Sequence, residues 1–291
     1  MRTKLKQLLI NKTPGLYISL SRGLAQFTHQ REAQVLRQPR SGEADFDSAI
    51  YFTYYRCGSQ VFKKVFRSIC QATDETPEWI DFESYMMHRE PEKGNIQDRI
   101  DEFLPAFVEK GFLYGPIYHA EEKLLEHPTL NSFCILRDPR DVLVSHYYSL
   151  GFAHTVTDQF SADRRRAVAA MTIDEFVLSP KYLDEVKERY ALYQKRFIAG
   201  KGGDGFYRYE DMVRDLPVFM EAIVKRLNIK ADSTLIQSVC RDVQTENKTE
   251  QKTSHRRSGK WGQFRKKLKP ETVASLETSL GELIEPWQEL A

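Results

Sequence analysis

Two rhythms of apolar residues alternate along the chain. Short, nearly continuous apolar runs predict buried strands: "AIYFTY" at 49–54, "GFLYGPIYH" at 111–119, "NSFCILR" at 131–137 and the middle of "GDGFYRYEDM" at 203–212. Segments with helical spacing lie between them. "SQVFKKVFRSIC" predicts a helix after the first strand. "DPRDVLVSHYYSL" predicts another after the third, with Asp138 as N-cap and Pro139 in the first turn. Residues 172–199 predict a long helix broken near Pro180. "PVFMEAIVKRLN", residues 233–243 and a stretch from about Pro270 predict three more. The second strand is expected to stop at Gly115 and Pro116. Such alternation predicts an α/β fold, a parallel β-sheet flanked by helices.

Sheets of this kind take ligands beyond the carboxyl ends of their strands. The strand-to-helix junctions at 55–59 and 137–141 are therefore expected to open at one edge. At the first, the chain leaves its strand through Arg56, Cys57, Gly58 and Ser59. Gly58 permits a tight turn. The amides of Gly58, Ser59, Gln60 and Val61 are expected to lack helical partners, which favours an anion. Arg56 brings a charged fork, and Ser59 and Gln60 bring side-chain donors. The plainer alternative is a capped helix with a surface arginine.

"RDPRDVLVS" at 137–145 offers a second helix start behind Arg137. Local pairing of Arg140 with Asp141 is its plain explanation. "HRRSGKWGQF" at 255–264 sets Arg257 near Gly259 and Gly262, which suits a loop around a phosphate or a solvated basic surface. No Gly-Lys-Ser or Gly-Lys-Thr occurs, so the Walker phosphate loop is absent.

Composition changes this picture only a little. The 291 residues are 41% hydrophobic and 29% charged, enough for a sizeable core, and the net charge of +2 gives no bulk attraction to nucleic acid. The four cysteines have neither C-x-x-C nor metal spacing, so no metal site, reduced thiols and a cytoplasmic setting are expected. No apolar run reaches the roughly eighteen residues of a spanning helix. The basic, patchily apolar N-terminus is expected to pack on the domain or to touch a membrane surface peripherally. A helical, basic extension at 1–45 and a single domain at 46–291 are the expected divisions.

Taken together, the three anion-seeking stretches resemble those of the sulfotransferases that use 3′-phosphoadenosine 5′-phosphosulfate (PAPS). In that family a strand runs into Pro-Lys/Arg-Ser/Cys-Gly-Ser/Thr and a helix. Here the segment reads Tyr55, Arg56, Cys57, Gly58, Ser59, Gln60. The family's Arg-Asn/Asp-Pro-Lys/Arg-Asp with a following serine is met by Arg137 through Asp141 with Ser145. Its Arg-x-Gly-x-x-Gly is met by Arg257, Gly259 and Gly262, and its Tyr-Glu-Asp by Tyr209, Glu210 and Asp211.

The resemblance implies a P-loop NTPase-like three-layer architecture and transfer of a sulfuryl group from PAPS to a hydroxyl or amine. It implies that Arg56, Cys57, Gly58, Ser59 and Gln60 hold the 5′-phosphosulfate, with Arg56 also stabilising charge on the leaving phosphate. It implies that Arg137, Ser145, Arg257 and Gly259 hold the 3′-phosphate and that Tyr209 lies near the adenine. His119 is the candidate base, with His88, His146, Glu121 and Glu122 as rivals. The family's proline is replaced by Tyr55, and Gln60 stands where serine or threonine is common. Small molecules, lipids and glycans are all expected acceptors. A non-catalytic nucleotide-binding or interaction protein on the same fold is the alternative, and a kinase is a more distant one. The aromatics of 79–88, with Tyr147, Tyr148 and Phe152, are expected either to line an acceptor pocket or to fill the core. Residues 151–170 are expected to form a lid or a solvated helix.

Overall fold

A computed structural model of the chain describes residues 29–39, 46–73, 76–89, 96–119, 121–153, 159–199, 205–245 and 260–290. Five strands form one parallel sheet: β1 (Ala49–Thr53), β2 (Glu78–Ile80), β3 (Phe112–Ile117), β4 (Asn131–Leu136) and β5 (Phe206–Arg208), in the order β2-β3-β1-β4-β5. β1 lies at the centre and every residue of it is buried. Because side chains alternate along a strand, β1 feeds two cores. Ile50 and Phe52 point into one, and Ala49 and Tyr51 into the other.

Helices cover both faces. α2 (Ser59–Gln71), α9 (Leu216–Arg226) and α10 (Ser233–Thr245) lie on the Tyr51 side. The Phe52 side holds α4 (Pro139–Tyr148), α6 (Ile173–Leu178), α7 (Pro180–Tyr193) and α11 (Pro270–Leu280). The remaining labelled helices are α1 (Gln30–Arg37), α3 (Phe82–Arg89), α5 (Gln159–Ala169) and α8 (Tyr209–Arg214). A closing 3-10 segment, Gly281–Leu290, seals the core with Trp287, which is 1% exposed.

Two expectations are corrected. β3 does not stop at Gly115 and Pro116 but runs through them to Ile117. The pairing with β1 shifts register between Ile50 and Phe52, a bulge that absorbs the Gly-Pro step. Gly115 has φ +142, and a Cβ there would meet the Tyr51 carbonyl oxygen at 2.6 Å. β2 was not expected at all. It has three residues, only Ile80 of them buried, so it carries no readable alternation. Its position matters nonetheless, because it pairs with β3 and α3 starts two residues after it.

Within the polar lead-in, α1 packs Ala33 and Val35 into the core and holds the Glu78 carboxylate through Arg31 at 2.7 Å. Among the described residues no helix is long and apolar enough to cross a membrane, and all four cysteines are free. Of the aromatics expected either to line an acceptor pocket or to fill the core, Phe82 and Tyr85 are buried in it, and Trp79, Tyr147 and Tyr148 pack half-buried against it. Phe82 packs edge-on against Phe103 and Phe107, and Trp79 against Phe66. Tyr147 turns its ring to Phe176 and its hydroxyl to the Met171 carbonyl, while Phe152 is exposed.

Candidate active site

β1 and β4 are neighbours, so the helix starts that follow them stand side by side at one edge of the sheet. Leaving β1, the chain makes a strained turn: Arg56 has φ 71 and Gly58 has φ 82. Gly58 is required twice over, because a Cβ would also sit 2.4 Å from Met212 Cε and 2.7 Å from the Tyr209 ring. The amides of Gly58, Ser59 and Gln60 make no hydrogen bond among the described residues. Val61 does, donating to the Gly58 carbonyl at 2.9 Å, so the expected free amides number one fewer. Three unpaired amides at the start of a helix are the donors that bind phosphate or sulfate.

The side chains of this turn divide. Arg56 Nε donates to Ser145 Oγ at 3.0 Å and so joins the two junctions. Ser59 Oγ meets the Tyr118 hydroxyl at 2.8 Å, and the Gln60 side chain also bonds Tyr118. Cys57 turns away into the core. Burial pushes its thiol up to about 12, and its sulfur lies 3.9 Å from the Tyr190 hydroxyl. The Cys57 amide donates to the Tyr54 carbonyl at 3.4 Å.

At the second junction Asp138 caps α4 by accepting from the Arg140 amide at 2.9 Å. Here a correction is needed, for Arg140 does not pair with Asp141. Its guanidinium holds Asp138 at 2.7 Å and Glu277 at 2.5 Å. Asp141, fully buried, belongs to Arg137 at 3.0 Å, one helical turn away. The other hydrogen bonds of Asp141 come from the amides of Gly262 at 2.7 Å and Phe264 at 3.0 Å. A second donation from Arg137 Nη2 reaches the Lys260 carbonyl at 3.0 Å. Its guanidinium carbon stands 4.8 Å from the centre of the Tyr209 ring, which itself packs on Gly58. One Arg137 nitrogen, Nε, is buried with no hydrogen-bond partner among the described residues.

This network brings the β4 edge, the β5 edge and the C-terminal loop together. Arg257 and Gly259 lie outside the described residues, but their neighbours from Lys260 onward are held at the site by Arg137 and Asp141. The donors fit an anionic nucleotide: amides at a helix start and a buried arginine nitrogen that have no hydrogen-bond partner among the described residues, beside the Arg56 guanidinium that bonds Ser145.

His119 lies just past β3, beside this edge. Its Nε2 is 2.9 Å from the Tyr55 hydroxyl, and its Nδ1 is 3.0 Å from Glu83. Glu83 is buried in the first turn of α3 and also accepts from the amides of Tyr118 and His119, each at 3.0 Å. Sequence reading missed Glu83. Its only signal was an acid next to the buried Phe82. What brings it to His119 is the pairing of the short β2 with β3.

Of the rival bases, His146 is near, its ring 5.8 Å from both Tyr54 and Tyr55. His88 is exposed and turned to its own helix, toward the Ser84 carbonyl. Glu121 caps its own short helix, and Glu122 pairs with Lys195 at the surface. Tyr54 and Tyr55 complete the surround. Tyr54 donates to Glu185 at 3.0 Å, and Tyr55 stacks on Tyr118 with ring centres 5.0 Å apart. Burial, aided by Glu185 and Glu83, pushes both phenols far above their ordinary range. In the 151–170 segment, α5 lays Val168 on Gly151 and pairs Arg166 with Asp163.

Comparison with known proteins now bears on this geometry. Residues 47–286 match the family described as the sulfotransferase domain. A comparison with curated protein sequences finds no match. Among solved structures, the chain is similar to mouse sulfotransferase SULT7A1 complexed with PAP, at 15% identity and TM-score 0.53, covering 90% of this chain and 92% of that one. It is also similar to retinol dehydratase in complex with androsterone and the inactive cofactor PAP, at 16% identity and TM-score 0.55, covering 88% and 84%. At such identities these likenesses speak to the fold.

Proposed function

The chain belongs to the sulfotransferase domain family, and from that premise we propose that it moves a sulfuryl group from PAPS to a hydroxyl or amine of a small-molecule acceptor, with His119 as base. The observation that carries this reading is the bond from Arg56 Nε to Ser145 Oγ. It joins, across the sheet edge, the two stretches that the family devotes to the two phosphate ends of one nucleotide. That both solved relatives were crystallised with PAP agrees with it.

PAPS supplies the sulfuryl group and leaves as adenosine 3′,5′-bisphosphate (PAP). The chain's residues have the other tasks. The amides of Gly58, Ser59 and Gln60 and the Arg56 guanidinium face the phosphosulfate and stabilise charge on the leaving phosphate. Ser145, Arg137, Arg257 and the Gly259 backbone take the 3′-phosphate. Tyr209, packed between Gly58 and Arg137, forms the floor near the adenine. Glu83 orients His119, whose Nε2 takes the acceptor's proton. Nothing in this scheme calls on a metal, and no cluster of possible metal ligands occurs among the described residues. Androsterone in the retinol dehydratase structure favours a lipid-like small-molecule alcohol as acceptor here. A cytoplasmic setting is part of the same reading.

Thermal melting with PAP tests the donor site. PAP is expected to raise the melting temperature of the wild type, and Arg56→Ala or Ser145→Ala to shrink that rise. Arg137→Ala is a poor choice because it leaves the buried Asp141 unpaired. His119→Ala should keep the rise and lose transfer. No rise with PAP at millimolar concentration would refute the reading.

A further inference from the structure

We propose that Tyr55 is itself a sulfuryl acceptor, so that the protein sulfates its own Tyr55 phenol when PAPS is bound. The inference rests on the donor site and base proposed above and adds an activity to them. As a carboxylate, Glu83 can only accept hydrogen bonds. It takes the amides of Tyr118 and His119 and therefore also the ring hydrogen on His119 Nδ1. That assignment leaves Nε2 as a bare acceptor, and the Tyr55 hydroxyl donates to it at 2.9 Å. A carboxylate, an imidazole and a hydroxyl in hydrogen-bonded sequence is the arrangement that activates a hydroxyl nucleophile.

The phenol is also held in place. Its ring stacks on Tyr118 at 5.0 Å with 8° between the planes. The Tyr118 hydroxyl in turn meets Ser59 Oγ, at the first residue of α2. Tyr55 is thus fixed against the base, and the Tyr118 ring on which it stacks links it to the helix start assigned to the phosphosulfate. An external acceptor that is to meet Nε2 must take the position the Tyr55 hydroxyl holds. The proline that the related pattern has at this place carries no hydroxyl.

The phenol is not a standing tyrosinate, because burial and the charge of Glu83 hold its proton on. The proton therefore leaves as the new bond forms. A bond forms between the Tyr55 phenolic oxygen and sulfur, and the bond from sulfur to the bridging oxygen of the 5′-phosphate breaks. Its electron pair stays on the departing bisphosphate. The phenolic proton passes to His119 Nε2, and Glu83 stabilises the imidazolium.

The test incubates the full chain with PAPS and no added acceptor, followed by intact mass and peptide mapping. One added sulfuryl group on Tyr55 is expected. It should fall at least tenfold in Tyr55→Phe and in His119→Ala, while both variants keep the melting rise with PAP. A second measurement needs no donor. In the nucleotide-free protein the His119 Nε2 resonance should move on Tyr55→Phe. A melting rise without any mass gain overturns the proposal alone, as does a gain mapped to another residue. Labelling that survives in His119→Ala overturns the proton route, and an unmoved Nε2 resonance overturns the hydrogen bond. No melting rise at all removes the donor site and the proposal with it.

Discussion

The two strand-to-helix junctions look alike in sequence and are built for different ends. After β1, the turn leaves three amides without hydrogen-bond partners among the described residues and holds Arg56 and Gly58 at positive φ. After β4, nearly every polar group is answered from within. Asp138 caps its helix and holds Arg140, while Asp141 holds Arg137 and two amides of the C-terminal loop. The first junction leaves backbone donors open while its side chains, Arg56 to Ser145 and Ser59 and Gln60 to Tyr118, are held within the protein. The second uses its charges to hold a distant loop beside the first. A run of basic residues at a helix start is therefore not one kind of object; what separates the two cases is whether buried carboxylates lie close enough to saturate the cations.

Substitutions can break this contrast, beginning with the strongest. Asp141→Ala leaves Arg137 buried without its counter-charge and frees the loop amides. It should lower stability by about 3–5 kcal/mol in urea unfolding, far more than any change at Arg56. A mutant of near wild-type stability would mean that the second junction is no anchor.

The next test is pH. Glu210 is buried beside the second junction, accepting from the Asp138 amide at 3.0 Å and from Trp287 Nε1 at 2.8 Å. Burial pushes its carboxyl up to about 7 from an ordinary 4.5. The folded protein thus keeps a proton that the unfolded chain releases between those values. The stabilisation is full below pH 4.5 and is lost as pH rises through 7, by about 3 kcal/mol. Denaturation series from pH 5 to 8 should show the decline, and Glu210→Gln should flatten it.

A smaller effect is expected at the first junction. Gly58→Ala puts a methyl against Met212 and Tyr209 at φ +82 and should cost about 1–3 kcal/mol in thermal unfolding. Its larger consequence is loss of the melting rise with PAP. Smallest of all, Ser145→Ala removes one hydrogen bond from Arg56 and should change stability by about 1 kcal/mol or less. Yet it should weaken PAP binding measurably by calorimetry. A loss of stability there as large as at Asp141 would erase the distinction between the junctions.

Much of this was legible in the chain. The central strands announce themselves because they are buried on both faces and read as unbroken apolar runs. Gly58 and Asp138 mark their turns through local geometry, which is short-range and therefore visible. What failed was the choice of partners. Arg140 and Asp141 are adjacent, but α4 turns them to different faces, and the N-cap position gives Asp138 to Arg140 instead. Gly115 and Pro116 read as a stop, because a bulge against β1 depends on a neighbouring strand. Glu83 and His119 are 36 positions apart, and only the order of the sheet joins them.

The hold of Asp141 on Gly262 and Phe264 has an effect in time as well as in space. All five strands precede Lys260 in the chain, so they leave the ribosome before the segment that holds Gly262 and Phe264 does. Until then the Asp141 carboxylate lacks two of its donors, and the C-terminal loop is not yet held beside the first junction. The anchor between the second junction and the C-terminal loop therefore forms last in synthesis, and a chain cut short before Gly262 would lose it together with the Trp287 plug of the core.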